Sequence, residues 1–245
     1  MSVWGKIIGG TAGFALGGPI GAILGVMVGG SFDRSAKLFT NSKQISNENK
    51  QNIFALSIII LSAKIAKADG QVTQDEIYAF KEKFNIPENE MPEVGKIFNE
   101  AKKSKDGYEQ IANQVGLLFS DNKILLEELL NNLFFIAESD GDTSIQEIEI
   151  LKSISNSFGL STNDFERISH SRLNKKNSDP YKILSVNRDD DNLTIRNRWI
   201  ELSKEHHPDN LISKGLPKEF IDQANNELSS INLAYDKIKS QRGIN

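Results

Sequence analysis

The chain has 245 residues, 38% hydrophobic and 25% charged, with a formal net charge of −4. That length and composition suit one or two globular domains, and the acidic balance gives no basic surface of the kind nucleic-acid binding needs. With no cysteine, disulfides, thiol nucleophiles and thiolate zinc sites are excluded. The three histidines, His170, His206 and His207, fall in no metalloprotease or nucleophile-elbow pattern, so neither an enzyme nor a cofactor is expected.

The first element is apolar. After a short N-terminal segment, 1–6, residues Ile7 to Phe32 carry no charged side chain and are long enough to cross hydrocarbon as a helix, 7–32. No small-residue cleavage site closes the run, which argues against a signal peptide. Gly5, Gly9, Gly13, Gly17, Gly21, Gly25 and Gly29 recur at every fourth residue. On a helix they form a slowly winding groove without side chains, and Gly9, Gly13, Gly17, Gly21 and Gly25 are the expected contact of a homodimer. Pro19 is expected to kink the span. Arg34, Lys37, Lys43 and Lys50 follow it and only Lys6 precedes it, so the bulk of the chain should be cytoplasmic. Trp4 is expected to anchor the near interface while Lys6 snorkels to it.

A juxtamembrane segment, 33–51, leads into a helical region, 52–172, with apolar residues at mixed three and four spacing. It contains a repeat at an offset of 71 residues: Ile65-Ala66-Lys67-Ala68-Asp69-Gly70 reads like Ile136-Ala137-Glu138-Ser139-Asp140-Gly141, and Glu76 and Glu147 follow at the same distance. Asp69, Glu76, Asp140 and Glu147 could gather round a hard cation through carboxylate oxygens. Against this, Thr73-x-x-Glu76 and Ser144-x-x-Glu147 are capping boxes, and Asp-Gly is an ordinary turn pair. An EF-hand register over 138–149 fails where Thr143 stands in place of the turn glycine. Capping is therefore the preferred reading and no metal is expected. The doubled pattern resembles the TerB-like domain, an all-helical module.

A polar stretch, 173–179, separates this region from the tail, 180–245. A short helix at Pro180-Tyr181-Lys182-Ile183-Leu184 is followed by one whose face carries Ile195, Trp199, Leu202 and His206. Another, from about Pro217, carries Phe220, Ala224, Leu228, Ile231, Tyr235 and Ile238. Two amphipathic helices so joined should form an antiparallel hairpin. Between them stands His207-Pro208-Asp209. Proline disfavours the α conformation in the residue before it, so the tripeptide reads as a rigid polar loop tip.

Pro180-Tyr181-Lys182-Ile183-Leu184-Ser185-Val186, the Ile195/Trp199/Leu202 face, His207-Pro208-Asp209 and Ile231-x-x-Ala234-Tyr235 together resemble a J-domain, the module by which DnaJ-type co-chaperones stimulate a DnaK-type ATPase. The resemblance implies a DnaK-type partner docked on His207, Pro208 and Asp209 and on the basic face of the preceding helix, here Arg196 and Lys204. Ile200 and Glu201 stand where that face is usually basic. From Pro180 onward ten basic residues balance ten acidic ones, so electrostatic steering should be weak. Gly5-Lys6-Ile7-Ile8-Gly9 after Trp4, the glycine-rich span, the TerB-like middle and the J-domain together resemble the DjlA family of bacterial membrane-anchored DnaJ-like proteins. That resemblance implies an all-α, single-pass protein of the inner membrane that regulates a partner ATPase. The rival reading is a membrane-anchored stress-sensing or interaction protein acting through its middle domain.

Overall fold

The computed structural model describes residues 2–9, 20–21, 47–69, 80–82, 84–103, 107–138, 143–173 and 178–244. Among them every regular element is helical: α1 (Val3–Gly9), α2 (Asn47–Asp69), α3 (Met91–Lys103), α4 (Tyr108–Leu118), α5 (Lys123–Ala137), α6 (Ile145–Ser157), α7 (Thr162–Leu173), α8 (Pro180–Ile183), α9 (Asn192–Glu205), α10 (Pro208–Lys214) and α11 (Ile221–Arg242), with a 3₁₀ turn at Lys218–Phe220. The all-α class follows from the sequence pattern.

The larger core is built on α2 and α5. Both are buried along most of their length, their apolar residues spread round the helix rather than confined to one stripe. α2 contributes Phe54, Ile58, Ile59 and Leu61, and α5 contributes Leu125, Leu129, Leu130, Leu133 and Phe134. α3 and α4 pack on α2, α7 packs on α5, and α6 lies against α4. That last approach is close, since a Cβ on Gly116 would stand 2.5 Å from the carbonyl oxygen of Ser157. The expected capping box at α6 is present. Ser144 Oγ accepts from the Glu147 N–H at 3.2 Å, and Glu147 accepts from the Ser144 N–H at 2.8 Å.

A second core joins α8, α9 and α11 through Tyr181, Ile183, Leu184, Ile195, Leu202, Ile231, Ala234 and Ile238. Trp199 stacks on Tyr235 with ring centres 4.3 Å apart and donates to Asn232 Oδ1 at 2.8 Å. Near the end of α11, Arg242 clamps the entrance of α9 by donating to the carbonyls of Arg188 and Asp190 and to Asn192 Oδ1. The two long helices therefore run antiparallel, the hairpin the sequence implies.

The cores are not independent. Leu211, Leu216, Phe220 and Ala224, from α10 and the start of α11, belong to the larger one. Phe220 meets Phe54 and Phe84 at 5.0 Å each. Around the end of α10, backbone carbonyls that a helix cannot satisfy internally accept side chains of the larger unit: Asn47 to Ser213, Asn122 to Lys214 and Gln51 to Leu216.

One expectation is corrected. Residues 207–209 are not a loop tip alone but the start of a helix, α10, because proline is well suited to the first helical position, where its missing N–H is not needed. Trp4 and Lys6, expected at a membrane interface, are packed against the helical unit in this structure. Trp4 is fully buried against Phe80, Phe84 and Phe220, donating to the Phe84 carbonyl, and Lys6 pairs with Glu48 at 3.1 Å. Ile20 is likewise buried, its N–H donating to Gln114 Oε1 at 2.9 Å. No helix among the described residues is long and apolar enough to cross a membrane. Most of 7–32 lies outside those residues, including Gly13, Gly17, Pro19 and Gly25; Gly9 ends α1 and Gly21 is buried.

Candidate functional site

The tip at residues 207–209 is set by local chemistry at both ends. α9 begins at Asp191, whose carboxylate accepts from the Thr194 N–H at 2.7 Å, and it stops at Glu205. His207 is extended, with φ −66° and ψ 131°, as the residue before a proline should be. Its Nδ1 then accepts from the Asp209 N–H at 3.2 Å, so the imidazole caps α10. Asn210 ties the turn back to α9 by donating to the Glu205 carbonyl at 2.8 Å. The His207 and Asp209 side chains remain 53% and 89% exposed. Arg196 and Lys204 are exposed on α9. The sequence-predicted group of Arg196, Lys204, His207, Pro208 and Asp209 is thus on the outside of the hairpin. It offers exposed cations, an imidazole and a carboxylate to solvent.

One residue earlier the environment inverts. His206 is 1% exposed and turned into the larger unit, where Nδ1 meets Glu128 Oε1 at 3.0 Å and Nε2 lies 3.4 Å from Glu127 Oε2. Glu127 also holds Arg167 at 2.5 Å, and Arg167 reaches across to Glu227 of α11 at 2.6 Å. Glu227 accepts from Ser171 as well, at 2.8 Å. Behind them Arg172 donates to Asn131 Oδ1 at 2.6 Å and lies over the Phe135 ring. Lys123 bridges Glu127 and Asp164 at the rim. With His206 protonated, four cations (Lys123, Arg167, Arg172, His206) face four carboxylates (Glu127, Glu128, Asp164, Glu227). Burial and the Arg167 charge oppose that proton, but Glu127 and Glu128 outweigh them and raise His206 to about 9. Burial likewise works against the Glu127 anion, and the charge of Arg167, followed by His206 and Lys123, brings it down to about 2. The cluster is a closed ion network joining α5 and α7 to α9 and α11.

Sequence reasoning placed His206 on the apolar row of α9 and passed over Glu127, Glu128, Arg167 and Glu227. The available signal was the adjacent pair Glu127-Glu128, followed by Asn131-Asn132, within a helix whose other residues after Lys123 are apolar. Of the carboxylates weighed as cation ligands, Glu147 is engaged in its cap. The Asp69 side chain, Glu76 and Asp140 lie outside the described residues, and no ligand-like cluster of three occurs among those described.

Residues 1–49 match the family described as the co-chaperone DjlA transmembrane domain, and residues 55–170 the family described as tellurite resistance protein TerB. The chain is similar to the co-chaperone protein DjlA of Photobacterium profundum, 26% identical over 98% of this chain and 99% of the relative. It is similarly related to those of Photorhabdus laumondii, 27% identical over 99% of each, and Coxiella burnetii, 28% identical over 100% of each. The similarity to DjlA co-chaperones extends over the full length of the chain. No solved structure matches it. The two family matches cover the apolar N-terminus and the helical middle, and the exposed tip lies beyond both, in the last quarter of the chain.

Proposed function

We propose that the chain is a membrane-anchored DnaJ-type co-chaperone whose His207-Pro208-Asp209 tip docks on a cytosolic DnaK-type chaperone and stimulates its ATP hydrolysis. The observation that carries this reading is the exposed, capped tip at the start of α10, on a chain similar to DjlA co-chaperones over its full length. Asp209 supplies a charge-assisted contact to a basic group of the chaperone, and Pro208 limits the freedom lost on docking. Arg196 and Lys204 add the cationic part of the surface. The ATP and the catalytic groups are the partner's.

The match of residues 1–49 to a transmembrane domain supports anchoring through Ile7–Phe32 in the bacterial inner membrane, and the cations after the span favour a cytoplasmic bulk. The four-residue glycine repeat supports self-association of that span, which would present two tips per complex.

The test is single-turnover ATP hydrolysis by a DnaK-type chaperone with the full chain in detergent micelles. Wild type should accelerate it; Asp209→Asn and His207→Gln should abolish the acceleration while keeping the helical circular dichroism of wild type. Equal stimulation by all three would overturn the reading and leave the TerB-like domain as the active part.

A further inference from the structure

α10 has seven residues, too few to hold helical structure alone in water. Its stability comes from the TerB-like unit. Leu211 and Leu216 are buried in that unit's core, Asn47, Gln51 and Asn122 satisfy carbonyls around its C-terminal end, and α5 lies against it. At its N-terminal end the hold is ionic, through His206 on Glu127 and Glu128, immediately before the exposed tip. An apolar seam can slide at small cost. The imidazole is held more directionally, with Nδ1 at 3.0 Å from Glu128 Oε1 and Nε2 paired at 3.4 Å with Glu127, which is itself held by Arg167.

We propose that the TerB-like domain is a fixed buttress for the docking tip, with His206, Glu127 and Glu128 as positioning residues that hold His207 and Asp209 in the orientation the chaperone binds. The proposal rests on the co-chaperone reading above. It assigns the middle domain a task in the reaction beyond linking the membrane to the hairpin. Without the buttress only a fraction of tips would be correctly placed at any moment. The concentration needed for half-maximal stimulation would rise by the reciprocal of that fraction, and the rate at saturation would not change. A residue that contacts the chaperone's ATPase machinery directly would instead lower the plateau.

Single-turnover ATP hydrolysis by a DnaK-type chaperone, titrated with the full chain in detergent micelles, separates these cases. His206→Gln and Glu128→Gln should each raise the half-maximal concentration about tenfold with the plateau kept. The double variant should be no worse than the weaker single, because the second change removes nothing further. In Glu128→Gln, amide hydrogen exchange should quicken over 211–214 and stay unchanged in α4 and α6. Folded variants with unchanged half-maximal concentration, or strictly multiplicative effects in the double variant, would overturn the proposal. If His206→Gln fails to fold, Glu128→Gln and its exchange pattern decide alone, unchanged exchange over 211–214 counting against the buttress. A wild type that gives no stimulation, with Asp209→Asn equally inert, overturns the co-chaperone reading itself, a result distinct from an active wild type with indifferent variants.

Discussion

At the scale of single residues, two adjacent histidines have opposite fates because one faces water and the other faces two carboxylates. His206 keeps its proton up to about pH 9, against about 6.5 for an unfolded imidazole. A folded-state value raised in this way contributes stability that is fully present below about pH 6.5 and is lost as pH rises through about 9. Glu127 works in the other sense. Held at about 2 against an ordinary 4.5, it contributes stability present above about pH 4.5 and lost as pH falls through about 2. The network is therefore worth most between roughly pH 4.5 and 6.5. Thermal unfolding followed by circular dichroism from pH 5 to 10 should show wild type losing on the order of 2–3 kcal/mol across the alkaline limb. His206→Gln should start lower and stay flat over that limb. A wild-type midpoint independent of pH between 6.5 and 9.5 would show that the ring is neutral in its site. The residues of this network were hard to read from sequence because charge in a helix normally signals a solvated face. Nothing local in Glu127-Glu128 says that Arg167 and His206, its partners, lie on two other helices.

Among the elements, the ones legible in the sequence are those whose determinants are local. The Ser144–Glu147 box and the apolar faces of α9 and α11 were visible in short windows of sequence. α10 was not, because the proline that ends one helix also suits the first position of the next, and the packing that stabilises α10 comes from residues such as Gln51 and Asn122 far away in the chain. The cap at α6 gives a direct measure of the competing readings of its acidic residue. Glu147→Ala removes the return bond to the Ser144 N–H and should cost about 0.5–2 kcal/mol in urea unfolding. Calcium or magnesium should leave the wild-type melting temperature unchanged. A saturable upward shift, absent in Glu147→Ala, would identify a ligand where the geometry has a cap.

For the whole molecule the decisive question is where the N-terminus goes. A spanning helix puts its two ends about 30 Å apart on opposite faces of a bilayer. In the structure Lys6, just before the apolar run, contacts Glu48 of α2, well beyond the run's end, and Trp4 is seated among Phe80, Phe84 and Phe220. The docked and spanning arrangements are therefore exclusive, and a bilayer must draw α1 out of the helical unit if the span is to cross. Both states answer the same physical demand, since the Trp4 ring needs an apolar surrounding and either protein or lipid can supply it. That is why the sequence pointed to the membrane and could not point to the docked state. The chain has two tryptophans, so Trp199→Phe leaves Trp4 as the sole tryptophan, excited selectively at the red edge where tyrosine does not absorb. Reconstituted into vesicles with brominated acyl chains, that variant should have its Trp4 emission quenched relative to unbrominated vesicles, because an anchored tryptophan sits at the hydrocarbon boundary. In detergent-free buffer the same residue should resist aqueous acrylamide as a buried ring. Full emission in the brominated vesicles would mean that α1 stays docked and that the membrane is held by some arrangement other than a single crossing at Ile7–Phe32.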